Sequence, residues 1–93
     1  MRYLVTIKKN ETDLIQNLTK RKISLEEFNL EFSQKNLSQS EYELLKNKYV
    51  ADMQNTENLI SNWWINIVNK YNLKIDDIPK YIIYFDSNKI FIR

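Results

Sequence analysis

Any catalysis by this chain would fall to carboxylates, because the side chains that most often do chemistry are missing. There is no histidine and no cysteine. Their absence removes the usual nucleophile–base pairs, the side chain that titrates near neutral pH, thiolate metal sites and nearly all zinc sites. Glycine is also absent, which excludes glycine-rich phosphate loops, dinucleotide fingerprints and nucleophile elbows, each of which needs a residue without Cβ at a tight turn. Asp76 and Asp77 are adjacent, so they point to opposite faces of a strand or diverge by about 100° on a helix. An acid and a base must converge on one substrate atom, and this spacing does not bring them together. Glu26, Glu27 and Glu31 share the polar face of a helix, opposite an apolar stripe, and read as a solvated surface. Nothing in the spacing supports a magnesium site. The expectation is a protein with no catalytic residues, no metal and no cofactor.

Binding chemistry is better represented. Lys8, Lys9, Lys20, Arg21 and Lys22 form a basic cluster that could contact phosphates if the first strand runs beside the end of the first helix. Against this, the net charge is only +2, low for a non-specific nucleic-acid binder. A helix-turn-helix over residues 24–50 is disfavoured because Glu41 and Glu43 would face phosphate from the first turn of its second helix. Charge is unevenly spread: residues 1–22 carry six basic and two acidic groups, residues 23–60 three and seven, residues 61–93 five and three. That pattern can hold the termini against the middle. Trp63 and Trp64 are neighbours on a helix and diverge by about 100°. Trp64 reads as core, Trp63 as core edge or contact surface, and Ile65 as further outward. Tyr81 and Tyr84 fall on opposite faces of a strand. With helices on one face of the sheet only, the other face presents tyrosine and isoleucine. The candidate protein-binding residues are therefore Trp63, Ile65, Tyr81 and Tyr84, since aromatic anchors dominate binding energy.

The elements that would position these residues can be read along the chain. Tyr3, Val5 and Ile7 alternate with Arg2, Leu4, Thr6 and Lys8, the period of a strand with one buried face. Asn10-Glu11-Thr12-Asp13 offers a helix start, and Lys20-Arg21-Lys22 offers an end where positive charge suits the dipole. Ser24 with Glu27, and Ser38 with Glu41, are two capping boxes, each with a hydrophobic staple, and predict two further helix starts. After Asn72, Pro79 marks a connector that cannot continue a helix. Residues 81–85 and 90–93 read as a hairpin around Asp86-Ser87-Asn88-Lys89, where asparagine takes the left-handed position in place of glycine.

The helix that begins at Ser38 is unusually long. Tyr42, Leu45, Tyr49, Met53, Thr56, Ile60, Trp64, Ile67 and Tyr71 recur at steps of three and four without losing phase. A helix over about 39–71 would be about 50 Å long, whereas a compact domain of this size has a radius of gyration near 12 Å, by scaling about 2.2·N^0.38. Either another chain covers part of the stripe, or the helix breaks near Asn55-Thr56-Glu57-Asn58 and folds back; the kept phase favours the continuous helix. The fold class expected is α+β, one domain over 1–93, in the order β-α-α-α-β-β. Its third helix is long, and a small three-stranded sheet joins the N-terminal strand to a C-terminal hairpin.

A long helix ending in Trp63-Trp64 and Lys70-Tyr71-Asn72, followed by a short hairpin, resembles small proteins of phages and mobile elements from AT-rich bacteria. The lack of catalytic residues, the uncovered long stripe and the outward aromatics lead to the expectation of a protein-binding module that occupies a partner's surface; in a phage setting this is an inhibitor of a host defence complex of the anti-CRISPR kind. A homodimeric assembly protein, paired through the long helix, and a small nucleic-acid-binding regulator are the alternatives. The early polar turn at Lys8-Lys9-Asn10 and the lack of any long apolar run lead to the expectation of a cytoplasmic protein with no membrane partner.

Overall fold

Residues Gln39–Tyr71 form one unbroken helix, α2, as the kept phase of their apolar stripe requires. The computed structural model describes all of Met1–Arg93. Strand β1 is Arg2–Thr6, helix α1 is Lys9–Ser33, and α2 is followed by a 3₁₀ segment over Ile75–Lys80 and by strands β2, Tyr81–Tyr84, and β3, Lys89–Ile92. The sheet order is β1-β3-β2 with both pairings antiparallel, so the N-terminal strand joins the C-terminal hairpin as expected. The molecule is a rod, 50 × 23 × 22 Å.

Residues 9–33 make a single helix where the local signals predict two. Ser24 is exposed and sits mid-helix, so its pairing with Glu27 caps nothing. The reason lies in the packing. Glu11, Ile15, Leu18, Lys22, Leu25, Asn29 and Phe32 recur at steps of four and three, and all are buried or half-buried. That is a heptad seam, and it lets α1 lie along α2 as one antiparallel hairpin. Tertiary packing of a continuous stripe outweighs a local cap worth about 1 kcal/mol. The helix passes through Asn55–Asn58 without a break, and α1 and the sheet together bury or half-bury the stripe.

The main core lies where the hairpin meets the sheet. Ile7, Ile15, Trp63, Ile67, Val68, Tyr81 and Ile90 are buried together there. At the far tip a second, smaller cluster forms around Phe32, whose ring packs against Phe28, Tyr42 and Tyr49 at centroid distances of 5.4, 5.7 and 6.3 Å. Ser38 does cap α2 as expected: its hydroxyl oxygen accepts from the Glu41 amide at 3.2 Å. The same hydroxyl donates to the Glu41 carboxylate at 2.8 Å. Asn72 closes α2 with φ 55°, and Asn88 turns the hairpin with φ 57°. In a chain without glycine, asparagine takes both left-handed positions, where its short polar side chain is best tolerated.

The tryptophans exchange the roles predicted for them. Helix α2 has two neighbours, α1 on one flank and the sheet on another, so it carries two buried stripes about 100° apart. Trp63 faces α1 and is only 5% exposed. Trp64, half-buried, turns to the sheet, its ring 5.9 Å from that of Tyr81. A single straight stripe cannot describe a helix packed on two sides.

Candidate binding surfaces

Carboxylates do not gather into a chemical site. Glu26, Glu27 and Glu31 are exposed along α1, and Asp77 is engaged with Lys80 across 3.9 Å. No three His, Cys, Asp or Glu side chains are grouped to hold a metal ion.

The most connected polar group is Glu11, which ties the start of α1 to the end of α2. Its carboxylate accepts from the Lys8 amide at 2.8 Å, from Lys70 Nζ at 2.9 Å, and from the Tyr71 hydroxyl. Its backbone carbonyl accepts from the Trp63 indole N–H at 3.0 Å. Burial by itself would raise the carboxyl pKa, but the hydrogen bonds from Tyr71, Lys70 and Lys8, with the Lys70 charge, outweigh it and hold the value below the ordinary carboxylate. For Tyr71, burial and the bond to Glu11 raise the pKa, and for Lys70 the bond to Glu11 does the same. A carboxyl with a lowered folded-state pKa contributes stability that is present above its ordinary value and is lost as pH falls through the folded value. The raised Tyr71 and Lys70 contribute below their ordinary values and lose that contribution as pH rises through the folded ones. Thermal melts of wild type and Glu11→Gln between about pH 3 and pH 8 should therefore show a gap at neutral pH that closes in acid. A gap constant across that range would mean that the charge of Glu11 contributes nothing.

The first binding surface is the open face of the sheet. Both helices pack on the other side, so one face is free, the arrangement in which tyrosine and isoleucine come to the surface. Pairing assigns its residues: Tyr3 lies opposite Phe91, and Phe91 opposite Ile82, while Tyr84 and Thr6 flank Lys89. The Tyr3 and Phe91 rings meet edge-on at 5.8 Å, and those of Tyr84 and Phe91 lie 4.8 Å apart. The Lys89 ammonium stands 5.7 Å over the Tyr3 ring. Tyr3 is 51% exposed and Tyr84 42%. Simple alternation places Tyr3 with the half-buried Val5 and the buried Ile7, but a register shift between Tyr3 and Val5 inserts one residue and turns Tyr3 outward. No strand contains an acid.

The second surface is a shallow hollow of about 200 Å³ on one flank of the hairpin, lined by Leu14, Leu18, Leu59, Asn62, Trp63 and Asn66. Leu14 is 53% exposed, and Leu59 is exposed as well.

The residues singled out from sequence are thus scattered. Tyr84 is on the open sheet face. Tyr81 is buried, and its hydroxyl donates to the Lys74 carbonyl at 2.8 Å while accepting from the Lys74 amide at 3.0 Å, so it staples the 3₁₀ segment rather than presenting a contact. Ile65 is exposed, but about 200° around α2 from Trp63 and so away from the hollow. The basic cluster does not converge, because α1 is continuous and carries Lys20 about 18 Å along its axis from Lys8. Lys9 is engaged with Asp13 at 3.8 Å. Lys20 and Arg21 are exposed, while Lys22 is half-buried in the heptad seam.

Tyr3, Ile82 and Phe91 on the sheet, and Leu14, Leu18 and Leu59 on the hairpin, were not singled out. Ile82 and Phe91 carry the period-two signal needed to find them, Tyr3 is hidden by the bulge, and Leu14 and Leu18, at helical spacing with Ile15, read as the buried side of the first helix. Compared with protein-family models, curated proteins and solved structures, the chain matches none of them, and its surfaces are read from its own residues.

Proposed function

We propose that this chain is a non-catalytic protein-binding module that acts by occupying a partner's surface. The observation that supports this is the apolar hollow between two antiparallel helices, where Leu14 and Leu59 stay exposed in a molecule with only ten buried residues. Two parallel walls of helix form a groove that takes a third helix, with apolar anchors at i, i+3 and i+4 spacing. The polar lining residues are the amides Asn62 and Asn66, with no charged side chain, so the occupant is an amphipathic partner helix recognised by apolar contact and not by charge. Its resemblance to phage and mobile-element proteins makes a host defence complex the first partner to test. No helix is long and apolar enough to cross a membrane.

The paired substitution Leu14→Glu and Leu59→Glu tests this directly. Both positions are exposed, so thermal stability should change by no more than about 0.5 kcal/mol each. A partner retained by the wild-type chain, still bound at about 0.5 M salt where surface charge is screened, should be lost from the double variant. Equal capture by both chains would remove the hollow from the binding surface. Sedimentation of the wild type as an 11.3 kDa monomer is expected. A dimer dissociated by the same two substitutions would make a second copy the occupant instead.

A further inference from the structure

The open sheet face has a composition that the hairpin hollow lacks, and we propose that it binds single-stranded nucleic acid. Tyr3, Tyr84 and Phe91 bring three aromatic rings together on a rigid antiparallel scaffold, with centroids 4.8 and 5.8 Å apart. Bases of an unpaired strand stack on such rings with little regard to sequence, because every base has a π-face. The cations are placed to follow the backbone. Lys89 lies on the same face between Thr6 and Tyr84. The Arg93 amide donates to the Lys80 carbonyl at 3.1 Å, which extends the β2–β3 pairing by one step and continues the open-face alternation to Arg93, while the Lys80 ammonium is held by Asp77. No Asp or Glu lies on any of the three strands, so no strand carboxylate repels a polyanion there. A protein partner would be served by the aromatics alone. The acid-free strands and the cations around the rings favour a phosphate backbone, and an unpaired one, since a duplex hides its base faces.

Fluorescence anisotropy with labelled oligothymidylate and oligouridylate of about 15 nucleotides tests the proposal. Binding at about 50 mM salt is expected, with log K falling against log salt at a slope near −1.4, as two phosphate contacts to a single strand give. Tyr3→Ala and Tyr84→Ala should each weaken binding about tenfold or more, and Tyr84→Leu should fail to rescue it although it keeps apolar bulk. Lys89→Gln should weaken binding to both oligonucleotides alike and flatten the slope by about 0.7. The Leu14→Glu, Leu59→Glu chain should bind as wild type, which separates this site from the hairpin hollow. Several results would overturn the proposal: no binding at low salt, equal or tighter binding of a duplex, or affinity unchanged in the Tyr3→Ala, Tyr84→Ala double variant. Loss of binding on replacing Lys20, Arg21 and Lys22 with Gln instead would place the contact on α1, and capture of proteins but no oligonucleotide through the tyrosines would make the face a protein surface; either result refutes it.

Discussion

Replacing Trp63 with alanine should leave little folded protein at ordinary temperature. Its side chain is buried between α1 and α2, donates its indole N–H to the Glu11 carbonyl at 3.0 Å, and meets the Trp64 ring edge-on at 4.9 Å. Truncating a buried aromatic costs about 3–5 kcal/mol through lost burial and the cavity left behind. The whole stability of a small domain is about 5–15 kcal/mol, and one with so few buried residues belongs at the low end. Trp63→Phe separates the contributions, since it keeps most of the apolar volume but leaves the Glu11 carbonyl without its partner, at a cost of about 1 kcal/mol beyond the smaller ring. Trp64→Ala is the comparison that matters most. Trp64 is half-buried against the sheet, so urea unfolding should rank Trp63→Ala well below Trp64→Ala in stability. The opposite order would mean that Trp64 carries the core.

That ranking bears on what could be read from the residues. The long helix, the Ser38 cap, the hairpin and the left-handed asparagine at its turn were legible because each is a local signal with its own physical cause. The merging of residues 9–33 into one helix was not, because the heptad seam that holds it includes Glu11, Lys22 and Asn29. A search for apolar periodicity passes over such positions, and the Ser24–Glu27 box then looks like a boundary. Once α1 is split in two, nothing remains to cover the 42–71 stripe, and a partner chain has to be invoked. The Trp63–Trp64 reversal has the same origin: one helix with two flanking layers was treated as having one face. On the sheet, alternation brings Tyr84 to the open face but points Tyr3 inward, because a bulge cannot be seen in a pattern that alternates on both sides of it.

The rod shape leads to the second large effect. Phe32 is 2% exposed and lies at the far tip of the hairpin, outside the main core. Its neighbours Phe28, Tyr42 and Tyr49 are only partly covered, so their order depends on the one ring they share. Phe32→Ala should therefore cost about 3–5 kcal/mol, but the loss should stay local, because the sheet and the Glu11 joint lie at the other end of a 50 Å molecule. The turn and a few turns of helix on either side would open, while the core around Ile90 keeps its packing, as regions with few buried contacts open at lower free energy than the rest. Two probes distinguish the ends. Both tryptophans sit at the sheet end, so fluorescence reports on that end alone, whereas far-ultraviolet dichroism reports on all the helix. In the variant the dichroism should fall before the fluorescence changes, and amide exchange should speed up around Phe32 and Tyr42–Tyr49 while β3 stays protected. Coincident transitions by both probes would show instead that the hairpin and sheet unfold as one cooperative unit, with the heptad seam carrying cooperativity through its polar middle.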